Sequence, residues 1–318
     1  MELAGNTFFF DWEVALMERL QGAIGGAAAS VVSFLSAFGE ELLLVAILGL
    51  LYWGLDKKLG KYVGLNLLVS NALCPMIKNV VVRRRPYFDN AGVKILRPVD
   101  SDADIYDIAA QGWSFPSGHS ASAAAVYGSI ARGTKSRVLT ALAFVLPLLV
   151  GFSRVFVGAH YPTDVLAGWA IGAIVLFVVP ALDRAVKPRW LFYLILLAVT
   201  VPGFFFCRSN DYFSAMGMLV GFMSGTAFEE KLVRFENTKN PLRVILRVLV
   251  GGALFFGLNT LFKLPFSSEF LAGGTYGALL VRFARYAVVL FLLIGVYPLL
   301  FRATAKTGKK KPAEDSAE

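Results

Sequence analysis

The chain has 318 residues, of which 57% are hydrophobic and only 17% are charged. A soluble domain carries about a quarter charged residues, so this composition and a mean hydropathy of +0.63 exclude an ordinary soluble protein. The net charge of +9 raises the possibility of nucleic-acid binding, but the basic residues follow a membrane-topology pattern, and no nucleic-acid partner is expected. The two cysteines form no spacing pattern, which excludes a disulfide framework and a zinc site.

The chain begins with a stretch that mixes acidic and apolar residues and then becomes rich in glycine and alanine. Residues 1–37 are therefore predicted to hold an N-terminal interfacial helix, with a span at 20–39 as the alternative. Long apolar runs then recur, which predicts an all-α, polytopic transmembrane helical bundle with about nine spans. The predicted spans are 38–54, 60–82, 117–131, 137–156, 163–182, 190–206, 211–227, 243–263 and 277–301.

Lysines and arginines collect in alternate connections between these spans. The positive-inside rule places such connections in the cytoplasm. It therefore predicts a cytoplasmic C-terminus and an N-terminus on the opposite side, as an odd number of spans requires. The basic connections are 57–61, 132–137, 184–189 and 231–243, together with the charged tail 304–318.

Five basic residues break this rule, because they fall on the predicted outer side. They are Lys78, Arg83, Arg84, Arg85 and Arg154. Charge at or below the membrane surface is costly and marks functional sites. We interpret Lys78, Arg85 and Arg154 in this way, whereas for Arg83 and Arg84 a role in binding lipid headgroups remains equally open.

The unusual polar residues all fall at helix ends on that same side, where they predict a phosphate-binding pocket. The guanidinium groups of Arg85 and Arg154 can each bind two phosphate oxygens, and Lys78 supplies a point charge. Ser117 and Gly118 open a predicted helix, where a hydroxyl group and exposed N–H groups attract an anion. The group has the chemistry needed to stabilise the transition state of phosphoryl transfer.

The only two histidines of the chain belong to the same segments and complete a catalytic hypothesis. Asp164 follows His160 by four residues, close enough to fix the tautomer of the imidazole and to stabilise its charged form. We therefore predict His160 as a nucleophile that forms a phosphohistidine. His119 is predicted to protonate the leaving oxygen and then to activate water. Each residue alone has simpler interpretations, such as helix capping, and it is their joint occurrence that favours catalysis.

Three segments resemble the signature of the type 2 phosphatidic acid phosphatase superfamily, which also includes vanadium haloperoxidases and glucose-6-phosphatase. The matching residues are Lys78, Arg85 and Pro86, then Pro116 to His119, then Ser153, Arg154, His160 and Asp164. The resemblance covers roughly 38–183. It implies the roles given above and hydrolysis without a metal or a cofactor. The layout is similar to the nine-span branch that holds sphingosine-1-phosphate phosphatase and glucose-6-phosphatase.

These observations predict a four-part organisation. The N-terminal helix of residues 1–37 precedes a catalytic helical core at 38–183, whose outer loop 87–115 is the expected specificity element. Additional transmembrane helices follow at 184–303, and 304–318 forms the tail. The last four spans are expected to serve packing or oligomerisation, or to line a route for a lipid tail. The oligomeric state is left open.

The function predicted from the sequence is an integral membrane phosphatase. It would hydrolyse a lipid phosphate monoester or diphosphate on the extracytoplasmic side, with membrane lipids around it. A phosphotransferase that moves the phosphoryl group to a lipid or sugar alcohol remains an alternative, as does a transporter or scaffold with a relic site. A bacterial cytoplasmic membrane is the expected location, with the endoplasmic reticulum as the rival.

Overall fold

The computed structural model describes residues 5–134 and 136–301, and the tail predicted at 304–318 lies outside these ranges. Most of the described residues are helical and none forms a β-strand, which confirms the all-α class. The helices are α1 (Asp11–Ala23), α2 (Gly26–Leu35), α3 (Glu41–Gly49), α4 (Lys57–Val81), α5 (Pro86–Asp89), α6 (Ile108–Gln111), α7 (Gly118–Gly133), α8 (Arg137–Phe156), α9 (Pro162–Ala185), α10 (Arg189–Thr200), α11 (Gly203–Phe206), α12 (Asn210–Phe228), α13 (Pro241–Leu261), α14 (Ser268–Ala272) and α15 (Tyr276–Phe291).

Polar residues cap the starts of the long helices. Asp56 accepts hydrogen bonds from the backbone N–H groups at the start of α4, and Ser117 and Asn240 cap α7 and α13 in the same way. These side chains satisfy N–H groups that have no partner within the helix. A one-turn 3₁₀ segment, Ser36–Gly39, joins α2 to α3. Wider π turns extend α3, α12 and α15 to Leu55, Val233 and Val296.

A helix lies at each of the nine predicted spans, but the count of nine spans is not confirmed. In the described part of the chain, five helical segments are long and apolar enough to cross a membrane: Arg137–Phe156, Pro162–Ala185, Arg189–Phe206, Pro241–Leu261 and Tyr276–Phe301. A sixth is possible if Ala28–Gly39 and Glu41–Leu55, bent by 48°, act as one span. In that case the first predicted span, 38–54, is the second part of a longer span that is bent near Glu40.

Three helices, α4, α7 and α12, do not meet this standard, for a physical reason. Each packs against helices on several sides, with α4 between α7 and α12, and many of their side chains are buried. A helix enclosed by protein needs no continuous apolar surface toward lipid. The lysines of α4 and the short length of α7 are tolerated in these enclosed positions.

Small residues bring the central helices into close contact. Gly168 and Gly172 of α9 lie directly against the backbone of α7, where a Cβ atom would meet the carbonyl oxygens of Ser117 and Ala121. Such a spacing of small residues lets membrane helices approach closely. The start of α7, which carries predicted site residues, is therefore positioned by direct backbone packing on α9.

Ion pairs join the two halves of the chain at the N-terminal end of α4. The Nζ atom of Lys57 lies 2.8 Å from the Oε1 atom of the buried Glu229, and Lys61 pairs with Glu230. Arg247 of α13 donates a hydrogen bond to the carbonyl oxygen of Trp53. These contacts hold α12 and α13 against α3 and α4, so the C-terminal helices form part of the same bundle.

The glycine contact between α7 and α9 generates a prediction about stability. Gly172→Leu would force the two helices apart and should lower the free energy of unfolding by about 1–3 kcal/mol. The matched control is Gly257→Leu on α13, where a Cβ atom meets nothing within 4 Å. Thermal unfolding in detergent should show a lower midpoint for the first variant only, and equal midpoints would contradict this account of the packing.

Candidate active site

The ends of α4, α7 and α8 and the segment before α9 meet around one cavity of about 320 Å³. Six of the residues predicted from the motifs line it. They are Lys78, Arg85, Gly118, His119, Arg154 and His160. The other two, Ser117 and Asp164, are fully buried behind the wall. Both histidines therefore face one cavity together with three cations.

The first motif is held by a sharp end to α4. Val82 adopts a left-handed conformation (φ 45°, ψ 39°), which is unfavourable for a β-branched residue. Asn6 of the N-terminal segment pairs with the backbone on both sides of Arg83, since its N–H donates to Val82 and its carbonyl oxygen accepts from Arg84. The strained turn ends the helix and separates Lys78 from Arg85.

The two cations of this motif are fixed by backbone carbonyl groups. Lys78 donates from Nζ to the carbonyl oxygen of Trp113 at 2.6 Å. Arg85 donates from Nε to Gln111 at 2.9 Å and from Nη1 to Ala159 at 2.8 Å. The loop after α6 and the segment before α9 thus orient both cations, and neither is paired with a carboxylate by these bonds.

At the second motif, Ser117 differs from its predicted role. Its hydroxyl oxygen accepts hydrogen bonds from the N–H and hydroxyl groups of Ser120, because at an N-cap the side chain turns back toward its own helix. Ser117 does not line the cavity. Gly118 does, and a Cβ atom there would meet nothing within 4 Å, so the first turn of α7 is open to an anion.

The third motif brings Arg154 and His160 together. The N–H group of His160 donates to the carbonyl oxygen of Arg154 at 3.3 Å, which folds the segment back over the end of α8. Among the described residues, Nε of Arg154 and Nδ1 of His160 are buried polar atoms without a hydrogen-bond partner. Buried polar atoms are normally paired, so each needs an explanation, and a bound anion supplies one for Arg154.

Asp164 lies behind His160. Its Oδ2 atom is 3.5 Å from Nδ1 of the imidazole and accepts hydrogen bonds from the N–H of Tyr161 and the hydroxyl group of Ser114. Its Oδ1 atom is 2.6 Å from Nη1 of Arg83. Nδ1 of His160 therefore faces the carboxylate, and Nε2 is the nitrogen on the other side of the ring.

Arg83 is the residue in this network whose role the sequence left open. It is fully buried and pairs with Glu13 at 2.9 Å as well as with Asp164, so it cannot reach a lipid headgroup. Its guanidinium group also stacks over Tyr161, 4.0 Å from the ring centroid. Arg84, by contrast, pairs with Asp89 at 3.0 Å.

Glu13 was not predicted as a site residue. It is fully buried, and its Oε1 atom accepts hydrogen bonds from the N–H and hydroxyl groups of Thr163 at the start of α9. A carboxylate is favourable at a helix N-terminus. The sequence around Glu13 predicts only an amphipathic helix, because the residues that enclose it lie far away in the chain.

The electrostatics of the site favour a neutral imidazole. Burial, followed by the nearby cations Arg85, Lys78 and Arg154, lowers the pKa of His160 well below its usual value. A neutral ring keeps a lone pair for attack on phosphorus, whereas a charged ring would not.

Helices from the C-terminal half supply the opposite wall of the cavity. The polar residues of this wall are Asp211 and Ser214 of α12 and Arg282 and Tyr286 of α15, while Glu41 of α3, Asn71 of α4 and Ser122 of α7 also line the cavity. No site residue was predicted in the last four spans. The feature of the sequence that indicates these residues is a charge within or beside an apolar helix, as for Asp211 on α12 and Arg282 on α15.

The outer loop 87–115 contributes less than expected. Asp100, Asp104 and Asp107 accept hydrogen bonds from backbone N–H groups of their own turns. None of them lines the cavity, whereas Val99 does. The acidic residues therefore stabilise the loop, and the residues opposite the motifs come from α12 and α15.

The chain is similar to known families and proteins. The model of the PAP2 superfamily matches residues 59–188, and a second model, the transmembrane extension of PAP2 superfamily phosphatases, matches 213–309. Phosphatidylglycerophosphatase B of Bacillus subtilis is 39% identical over 84 residues, which are 24% of this chain and 41% of that protein. The chain thus spans less than half the length of this relative.

A second relative matches over more of its length. Decaprenylphosphoryl-5-phosphoribose phosphatase of Mycobacterium tuberculosis is 31% identical over 168 residues, which are 51% of this chain and 86% of that protein. A crystal structure of a PAP2 type phosphatidylglycerolphosphate phosphatase from Bacillus subtilis is 25% identical, covers 56% of this chain and 90% of its own, and has a TM-score of 0.42.

The predicted enzyme class, a phosphatase, agrees with the names of these relatives. The apolar spans and the matched transmembrane extension make the protein an integral membrane protein. Likeness to the nine-span branch stays a prediction. The resemblance drawn from the three motifs is confirmed: the chain belongs to the PAP2 superfamily.

Proposed function

We propose that this protein is a membrane phosphatase that hydrolyses a lipid phosphate monoester or diphosphate through a phosphohistidine. One observation carries the proposal. Lys78, Arg85, Arg154 and both histidines line a single cavity, whose volume of about 320 Å³ is sufficient for a phosphate group. The names of the relatives, which act on lipid-linked phosphates, support the substrate class.

The first step is attack of Nε2 of His160 on phosphorus. The N–P bond forms while the bond from phosphorus to the leaving oxygen breaks. His119, which becomes protonated once the negative charge of the bound substrate offsets the surrounding cations, gives its proton to that oxygen. The imidazole becomes positively charged, and Asp164 stabilises this charge through Nδ1–H. In the second step His119 removes a proton from water, the water oxygen attacks phosphorus, and cleavage of the N–P bond restores His160 and releases phosphate.

The cations supply the electrostatic stabilisation. Phosphoryl transfer places negative charge on the three equatorial oxygens, and Lys78, Arg85 and Arg154 surround the position where these oxygens would lie. The N–H groups at the start of α7 add to this attraction. Because these groups are already held by carbonyl oxygens and packing, little reorganisation is required when substrate binds.

Arg83 and Glu13 act as positioning residues in this proposal. Arg83 occupies one oxygen of Asp164, and Ser114 and Tyr161 donate to the other, so the carboxylate has one orientation. Glu13 in turn holds Arg83 in place. The orientation of the imidazole thus depends on the N-terminal helix α1.

The proposed site faces away from the cytoplasm. The basic connection 57–61 lies at the start of α4, whereas Lys78 lies at its other end. Under the positive-inside rule, the end with the basic connection is cytoplasmic and the cavity is extracytoplasmic. A bacterial cytoplasmic membrane is the proposed location, since both named relatives are bacterial.

The two histidines should have different effects when they are replaced. His160→Asn should lower turnover of any phosphate ester about 1,000-fold or more, because the nucleophile is lost. His119→Asn should lower lipid phosphate hydrolysis by about 100- to 10,000-fold. With p-nitrophenyl phosphate, whose leaving group needs no proton, this second variant should instead release one equivalent of nitrophenolate and accumulate an acid-labile phosphoenzyme.

The control for this experiment is Ser224→Ala on α12, whose hydroxyl group bonds only to its own helix. It should retain full turnover. A phosphoenzyme formed by His160→Asn, or full activity of that variant, would rule out the proposed nucleophile.

Loss of Arg83 should destabilise the protein and the site together. Arg83→Met leaves the carboxylates of Glu13 and Asp164 buried without their cation, and a cost of about 3–5 kcal/mol is expected. The double variant Glu13→Gln, Arg83→Met removes one of these charges and should regain part of the stability but none of the turnover number. Unfolding and kcat are measured on the same samples.

Arg84→Met is the matched control, since it removes the neighbouring guanidinium group, which pairs with Asp89, and leaves the buried pairs of Arg83 with Glu13 and Asp164 in place. It should cost less stability than Arg83→Met. If the two variants are equally stable and equally active, Arg83 does not position Asp164.

The sidedness can be measured with single cysteines, because Cys74 and Cys207 are both buried. Asp102 lies exposed in the outer loop, and Lys187 lies exposed between α9 and α10. A membrane-impermeant maleimide should label Asp102→Cys in intact cells, and Lys187→Cys only after permeabilisation. The reverse pattern would place the cavity on the cytoplasmic side.

A further inference from the structure

An apolar groove of about 350 Å³ lies between α3 on one side and α13 and α15 on the other. It shares Glu41 and Tyr286 with the catalytic cavity. A smaller void of about 20 Å³ also contacts both spaces, since it shares Val45 with the groove, Asn71 with the cavity and Glu41 with both. The polar cavity and the apolar groove are therefore neighbours, with Glu41 and Tyr286 lining both.

The groove changes character along its length. At the junction with the cavity it carries Glu41 and Tyr286, and beyond them its wall is formed by aliphatic and aromatic side chains and glycines. Leu42 and Phe256 lie on this wall and are 64% and 55% exposed. Exposed apolar side chains on membrane helices contact lipid, so the groove is open to the side of the bundle.

We propose that this groove holds the hydrocarbon chain of the substrate while its phosphate lies between the histidines. The inference rests on the proposed function and adds a subsite to it. Helices α13 and α15, which lie within the matched transmembrane extension, form one wall of this chain-binding groove. The extension therefore selects substrates by their apolar part, whereas the motifs act on the phosphate.

The position of the groove beside the catalytic cavity identifies the occupant. A lipid phosphate must place its phosphorus beside His160 and its hydrocarbon in an apolar space within reach. A second apolar groove, of about 510 Å³, lies between α7, α8 and α9, but it shares no lining residue with the cavity. In the described part of the chain, the groove along α3 and α13 meets both requirements. Its volume is also in the range of small-molecule sites.

Glycines of α13 make the groove open to a direct test. Gly252 lines it, and a Cβ atom added there meets nothing within 4 Å. The Cβ atom of a larger side chain at this position would therefore meet no neighbour, and its outer atoms would occupy the groove. The adjacent Gly251 is unsuitable, because it packs directly against the ring of Trp53.

The test compares Gly252→Phe with Gly257→Phe, the same change on the same helix at an open position that does not line the groove. The substrates are dioleoyl and dihexanoyl phosphatidate, which differ only in their chains. For Gly252→Phe, kcat/KM for the long-chain lipid should fall about tenfold or more while that for the short-chain lipid stays within about twofold. Gly257→Phe should change neither value.

Ala46→Phe on α3 narrows the groove from its opposite wall and should give the same loss for the long-chain lipid. Ala46→Phe provides the same test if Gly252→Phe does not fold. If both variants, once folded, keep the wild-type ratio of long- to short-chain activity, the groove does not hold the chain. If the wild type releases phosphate from neither phosphatidate, the same comparison is made with a long-chain and a short-chain polyprenyl diphosphate. Release from none of the four lipids would instead contradict the proposed function.

Occupancy of the groove can be measured by photolabelling, which does not depend on the rate of phosphate release. A phosphatidate with a photoreactive diazirine at the end of its chain should label peptides of α3 and α13 in the wild type and in Gly257→Phe. Gly252→Phe should suppress this label. Labelling of α7, α8 and α9 in its place would assign the chain to the other groove and overturn the proposal.

Discussion

A buried carboxylate holds the separate parts of the site in register. Asp164 binds Arg83 from the first motif, faces the imidazole of His160 and accepts a hydrogen bond from Ser114 in the loop before the second motif. Its backbone carbonyl oxygen accepts from the N–H of Ser117, which begins α7. A buried charge is tolerated only when it is paired and hydrogen-bonded. Because all these partners converge on one residue, loss of any of them leaves that charge poorly compensated.

The bundle is organised around helices that do not face lipid. α4 lies between α7 and α12 and so joins the half that carries the motifs to the half that carries the extension. Enclosure permits lysines at both ends of α4 and close backbone contact at the glycines of α9. The cavity forms where these enclosed helices end, which is why residues distant in sequence share it.

The two halves of the chain contribute different kinds of residue to the cavity. The first half contributes cations and imidazoles, which suit a phosphate, and the second half contributes Asp211, Arg282 and Tyr286 together with one wall of the apolar groove. Such a division suits a family in which the chemistry is shared and the lipids differ, since the names of the relatives specify different lipid phosphates. In the function proposed here, the anionic substrate also compensates cations that protein carboxylates leave unpaired.

Much of this could be predicted from the sequence because the informative patterns are local. Apolar runs indicate membrane helices, and the spacing of His160 and Asp164, four residues apart, brings imidazole and carboxylate to the same turn. The spacing of Lys78 and Arg85, and of Arg154 and His160, likewise concerns neighbours in the chain. These patterns were enough to predict the family, the helical class and six of the residues that line the cavity.

The tertiary structure decided what depends on partners far apart in the chain. Arg83 was ambiguous until its partner Glu13, 70 residues away, proved to be buried beside it. The hydroxyl group of Ser117 turned to its own helix, and Asp211 and Arg282 reached the cavity only through packing of α12 and α15. The count of nine spans stays a prediction for a related reason, since hydropathy records how apolar a helix is but not whether lipid or protein surrounds it.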